Sequence, residues 1–241
     1  MLFDEVVQAR RSIRDFSQKE VSDDVLSKIL ENALHSPSSS NTQPYKIAVA
    51  KGAVCEDIRK ELREKFQKAS KIKEMSMPGK AIHAALGSVN GVLPDGDFKT
   101  DTNYPPELKA RAVDCGMGLY EALDIGRKDY VARHEQMLRN FELFDAPAAI
   151  FIFIQSQRSV FSAMDAGMFM QSLMMSATAE GLGSCAQGSL ATWAGPVRKR
   201  FKIDKHYKLI CGISLGYPTE HIVNTYRPKK LSISDLCFDE K

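Results

Sequence analysis

The chain has 241 residues, 33 Lys+Arg against 30 Asp+Glu, and a formal net charge of +3. Hydrophobic residues make up 44% and charged residues 26%, values that give a globular protein an ample core and exclude a strongly basic nucleic-acid binder. Fifteen Gly and ten Pro are too few for a collagenous or low-complexity chain.

Residues 2–10 set Leu2, Phe3, Val6 and Val7 among polar residues and predict a short amphipathic helix. Ser22 precedes two acids and the helical spacing Val25, Leu26, Ile29, Leu30, Ala33, Leu34, so it is the expected N-cap of a helix that Pro37 ends. Residues 37–44, Pro-Ser-Ser-Ser-Asn-Thr-Gln-Pro, favour a loop, because their side chains compete for backbone groups. Tyr45 to Ala50 alternates as a strand does. Val54, Ile58, Leu62 and Phe66 predict a helix over 53–73 with a basic outer face. Glu61 and Glu64 inside that run favour a solvated face over a nucleic-acid or membrane surface.

Residues 76–106 hold Met-Pro-Gly, Pro-Asp-Gly and Pro-Pro with little periodicity, the composition of a lid or a partly disordered segment. Helices resume at 107–124 and 129–140. Ala148 to Ile154 is a buried strand by its β-branched and aromatic content. Asp165 to Gly181 is apolar nearly all round and predicts a helix buried on several sides, stopped by Gly181-Leu182-Gly183. A short helix at Pro196–Phe201 and a strand at Lys208–Leu215 follow, and 222–241 is expected to be extended and polar. No repeat or linker marks a boundary, so the chain is one α+β domain, 1–241.

The cysteines at 55, 115, 185, 211 and 237 are odd in number and never spaced CxxC, which argues against a disulfide framework or a zinc ribbon. Free thiols, an N-terminus with acids instead of an apolar run, and a longest apolar stretch of Ala146–Ile154 predict a cytoplasmic protein with no membrane span. The five histidines form no spaced set, and no metal site is expected.

Three clusters could carry chemistry. Arg10, Arg11 and Arg14 around Ser12 form an anion cradle, since guanidinium forks bind phosphate in pairs of bonds; alternatively they are cations at a helix C-terminus. The loop 37–44 offers several donors and acceptors to a planar ligand, or is simply a loop. Gly181 to Ser189 offers exposed backbone N–H groups, without the context of a Rossmann fingerprint.

The combination is more specific than its parts. Arg-Arg-Ser-Ile-Arg-Asp-Phe, then Ser-Pro-Ser-Ser-Ser-Asn-Thr-Gln-Pro-Tyr, then Ala-Glu-Gly-Leu-Gly and Leu-Gly-Tyr-Pro, followed by Asn224-Thr225-Tyr226-Arg227-Pro228-Lys229-Lys230, resembles the nitroreductase family of FMN flavoproteins. The resemblance implies an α+β sandwich with a central mixed, mostly antiparallel sheet surrounded by helices. It implies an intertwined homodimer with FMN at the interface, a variable lid-like insertion at about 70–106 and a C-terminal arm at about 222–241.

Carried over by motif, Arg10, Arg11 and Ser12 lie towards the FMN phosphate and Arg14 lies near the N1/O2 edge. Pro37, Ser38, Ser39 and Asn41 come from the other subunit. Ala186, Gln187 and Gly188 line the ring near N5, and Arg227 and Lys230 close on the phosphate. Gly188 stands where relatives often carry Glu or Thr, so only backbone is left there to meet N5. The implied activity is ping-pong reduction of nitroaromatic or quinone-like acceptors by NADH or NADPH, with the cofactor carrying the chemistry. A reductive dehalogenase of the same fold and a non-catalytic flavin sensor are the alternatives.

Overall fold

The longest unbroken apolar segment forms the centre of the sheet. In this computed structural model, which describes residues 1–74, 93–98 and 104–238, that segment is strand β2, Ala148–Gln155, buried along all but its last residue. It lies between β1, Tyr45–Lys51, and β4, Tyr207–Gly216, and β4 in turn pairs with β3, Gly183–Gln187. All three pairings are antiparallel, with Val49 opposite Ile150 and Ile150 opposite Ile213. The mixed character comes from one parallel bridge, Ser12 to Ser184, on the free edge of β3.

Side chains alternate across a strand, and β2 uses both faces. Ala148, Ile150, Ile152 and Ile154 join one core with Ile29 of helix α2 (Asp23–Leu34) and Phe169 and Leu173 of a long helix, Ser159–Ala179. Ala149, Phe151 and Phe153 join the other core with Ile58 and Leu62 of α3 (Gly52–Glu74). Two covered faces explain why β2 reads as a continuous apolar run.

The remaining helices are α1 (Phe3–Ala9), α4 (Pro106–Ala122), α5 (Tyr130–Phe141), the long helix as α6, α7 (Gly195–Arg198) and α8 (Ile233–Leu236). Ser22 caps α2, accepting a bond from Val25 N at 3.4 Å. Gly181 ends α6 at φ +75, with Leu182 N bonded to Ala177 O and Gly181 N to Thr178 O, the double closure of a Schellman cap.

Several expectations are corrected. In α3 the buried stripe runs through Cys55, Ile58 and Leu62, while Val54 is exposed, because strict fourfold spacing drifts off a face of 3.6 residues per turn. Its basic face is exposed at Lys60, Arg63, Lys68 and Lys71, as expected; Arg63 pairs with Glu142, and Glu61 accepts from Lys199 and Arg200. Helix α6 starts six residues earlier than expected and is buried along one face within this chain, leaving Val160, Phe161 and Met164 exposed. Residues 183–187 form a strand that was not expected. The segment 222–241 is not wholly extended: it holds a 3-10 turn, Ile222–Thr225, and α8, which Ser232 and Asp235 cap reciprocally.

Most of the lid-like segment lies outside the described residues. Its piece at 93–98 is tied down through Asp97, which accepts from Arg198 Nη2 and Leu209 N, each at 2.8 Å. Among the described residues no helix is long and apolar enough to cross a membrane.

The edge of β3 depends on Gly183, where a Cβ would fall 2.5 Å from Ile13 Cγ1 and 2.9 Å from its Cβ. Gly183→Ala is expected to cost about 1–3 kcal/mol by overpacking and to loosen residues 10–14, read by urea denaturation and amide exchange at Ile13.

Candidate functional site

Helix α1 ends at Ala9, and the chain then runs along β3, with Ile13 N bonded to Ser184 O at 3.0 Å. This backbone bond lines up Arg10, Arg11, Ser12 and Arg14 beside the sheet edge. Asn224, buried in the 3-10 turn after β4, fixes their register. Its Oδ1 accepts from Arg14 N at 2.8 Å, its Nδ2 donates to Asp15 O and Thr219 O, and its carbonyl accepts from Arg11 Nε at 2.5 Å. Arg227 Nη1 donates to Gln8 O at 2.7 Å and so joins the same end of α1.

The partners of these arginines are neutral. Arg10 Nη2 lies 3.3 Å from Met174 Sδ, and Arg10 Nε is buried with no hydrogen-bond partner. Arg14 Nη1 donates to Ser12 O. The nearby acid, Asp15, is held by Arg139 and Thr219. Among the described residues no carboxylate forms a salt bridge with Arg10, Arg11, Arg14 or Arg227. Uncompensated guanidinium donors clustered on one sheet edge suit a phosphate and an electron-rich ring edge.

Strand β3 leads into the third cluster. Ser184 Oγ is buried and unpartnered, and Cys185 is buried beside the arginines. Burial pushes the Cys185 thiol up, against the opposing pull of Arg14, Ser12 and Arg10, which suits an inert neutral thiol and no nucleophile. Ala186 is exposed, and an added Cβ at Gly188 would meet nothing within 4 Å. The Gln187 side chain points into the core, donating to Asn140 O and accepting from Ser214 Oγ.

The serine loop lies elsewhere. Ser39 N donates to both Asp165 oxygens at 3.3 and 3.2 Å, and Gln43 N donates to Ser38 Oγ at 3.0 Å. Pro37 and Asn41 are exposed. Asp165 and Met174 lie nine positions apart on α6, roughly 13 Å along its axis. One chain therefore brings together Arg10, Arg11, Ser12, Arg14, Arg227 and the 186–188 turn, and holds Pro37, Ser38, Ser39 and Asn41 apart from them. Lys230 is exposed and lines a separate cavity of about 550 Å³ with Arg111, Asp114 and Lys229.

A larger cavity, about 630 Å³, lies between α4 and α5 and is lined by Met117, Tyr120, Arg127 and Arg133. Tyr226 docks α4 beside the arginine cluster, donating to Cys115 O at 2.8 Å. Burial first, and then Cys115, push its phenol up to about 12 from the usual 10.0. Among the described residues no group of His, Cys, Asp and Glu is placed to hold a metal ion. Asn224, Asp165 and Tyr226 had no assigned role in the sequence. Each acts through one side chain that only the folded chain brings to the site, although Asn224 and Tyr226 lie within a quoted motif.

Asn224→Ala strips partners from three part-buried backbone groups and is expected to cost about 1–3 kcal/mol, measured by urea denaturation, with faster amide exchange at Arg14. The Tyr226 pKa lies above its unfolded value, so the fold favours the neutral phenol. That contribution is full below pH 10 and is lost as pH rises towards 12. In denaturation series across this range, Tyr226→Phe is expected to be the less stable by about 1 kcal/mol at neutral pH, with the gap closing above pH 10.

A family model described as the nitroreductase family matches residues 7–217. A 4-nitrobenzoate reductase of Pseudomonas putida is 29% identical over 236 residues, covering 95% of this chain and 92% of the relative. Nitroreductase NfnB of Mycolicibacterium smegmatis is 29% identical over 231 residues, covering 95% and 89%. The crystal structure of an FMN-dependent NfnB from Mycobacterium smegmatis in complex with NADPH superposes with a TM-score of 0.80 at 27% identity, covering 99% of this chain and 97% of the other. An NfnB from a Sphigopyxis strain, at 23% identity, shares the fold over 100% of both chains with a TM-score of 0.84. With the motifs, the sheet and the cationic edge in agreement, the chain belongs to the nitroreductase family.

Proposed function

We propose that this protein is an FMN-dependent oxidoreductase that takes electrons from NADH or NADPH and reduces nitroaromatic or quinone-like acceptors. The observation that carries this reading is the arginine edge beside β3, cationic without a carboxylate partner and open at Gly188. Arg10, Arg11 and Ser12 would hold the phosphate, with Arg227 closing over it, while Lys230, carried over by motif, faces a separate cavity in this chain. Arg14 would place a fixed cation at the N1/O2 edge, where it favours developing negative charge. The backbone N–H at Gly188 would orient N5. When bound, FMN supplies the two-electron relay between nucleotide and acceptor, in ping-pong order.

The working unit in this reading is a homodimer of single-domain chains, in a cytoplasmic setting that suits five unpaired cysteines. Two observations support it. The serine loop and the arginine edge are separated within one chain, so a second copy is needed to bring Pro37, Ser38, Ser39 and Asn41 to the flavin. Large apolar side chains are also left uncovered: Phe3 on α1, Val160 and Met164 on α6, and Ile233 and Phe238 in the C-terminal arm. The lid-like insertion and that arm are read as the parts that shape the acceptor pocket and clasp the partner.

The purified protein is expected to be yellow, to bleach with NADH or NADPH without oxygen, and to regain colour with 4-nitrobenzoate or a quinone. A protein that cannot be loaded with FMN overturns the reading. Arg14→Ala is expected to slow reduction, followed by stopped flow, on the order of 100-fold, with a smaller loss of FMN affinity. A collapse of affinity with unchanged reduction of the bound fraction contradicts the N1/O2 role.

A further inference from the structure

We propose that Asp165 is a positioning residue whose buried carboxylate sets the Ser38–Ser39 backbone in the shape that meets the cofactor. The inference rests on the functional reading above.

Asp165 is 1% exposed on the packed face of α6. Burying a carboxylate in apolar surroundings is costly unless its bonds are made. Both oxygens here share one donor, Ser39 N, and among the described residues no cation pairs with them. Packing alone would be served as well by an apolar residue, so the carboxylate is placed for geometry.

The loop needs such an anchor. Ser40, Asn41 and Gln43 have φ of 51, 53 and 43, a region that ordinary side chains enter only when held there. Ser36 and Pro44 are tied at the flanks, to Ser172 and to Gln155 N. Between them the loop bonds itself, Thr42 to Ser39 O and Gln43 to Ser38 and Asn41. Among the described residues, the bond from Ser39 N to Asp165 is the one hydrogen bond leaving residues 37–43 for the rest of the chain. The surroundings are polar beyond this bond: Ser162 Oγ, one turn earlier on α6, and the Tyr45 hydroxyl are buried without partners. Burial, then the charge of Asp165, push the Tyr45 phenol up.

The test compares FMN dissociation constants, by flavin fluorescence, with melting of the FMN-free protein. Asp165→Ala is expected to weaken FMN binding about tenfold or more, as loss of a charge-assisted bond implies. Asp165→Asn keeps an acceptor oxygen and is expected to restore affinity to within a few-fold of wild type. The same bond can be removed from its other end. Ser38 is extended at φ −144, ψ 157, as a residue before proline must be, so Ser39→Pro deletes the N–H and sets a ring carbon where the hydrogen met the carboxylate. It should bind FMN at least about fivefold more weakly than Ser39→Ala, which keeps the N–H. If Asp165→Ala fails to fold, the Ser39→Pro and Ser39→Ala pair decides. Wild-type affinity in a folded Asp165→Ala, or equal affinity for the two Ser39 variants, overturns the inference. A wild-type protein that binds no FMN overturns the functional reading instead, and this role with it.

Discussion

Residues 10–16 have no regular structure of their own beyond two isolated bridges, yet they carry the charge of the site. The bond from Ile13 N to Ser184 O lays them against β3, and the Asn224 amide locks the next residue. Ile13 then fills the space above Gly183, which no other residue could occupy without pushing it away. The backbone positions of Arg10, Arg11 and Arg14 follow from that pairing. A side chain with many rotamers becomes a defined donor because its backbone is part of a sheet.

Net charge says little here, and its partition says much. Arg139, Arg198, Lys199 and Arg200 are neutralised by Asp15, Asp97 and Glu61. Those pairs hold elements together. Arg10, Arg11 and Arg14 have carbonyls, a thioether and solvent for partners. With Asp15 engaged by Arg139 and Thr219, the local field at the edge stays positive.

Much of this was legible in the sequence. Helix α2 with its Ser22 cap, the Gly181 stop and the apolar run of β2 are local signals, and they appear where the residues put them. The site clusters were legible as motifs. Strand β3 was not, because Gly-Ser-Cys-Ala-Gln has no β-branched residue and is a strand only through its pairing with β4. The misplaced stripe of α3 arose from counting by four where the helix turns by 3.6. Asp165 and Asn224 were hidden for another reason. A single buried polar side chain is defined by what it reaches, and Asp165 is 126 positions from Ser39, as Asn224 is 210 from Arg14.

Helix α6 touches the serine loop at Asp165 and the arginine edge at Met174. A packed helix of 21 residues does not stretch. Asp165 and Met174 therefore keep a fixed separation of roughly 13 Å, and a displacement of the serine loop is carried along the helix to the arginine edge.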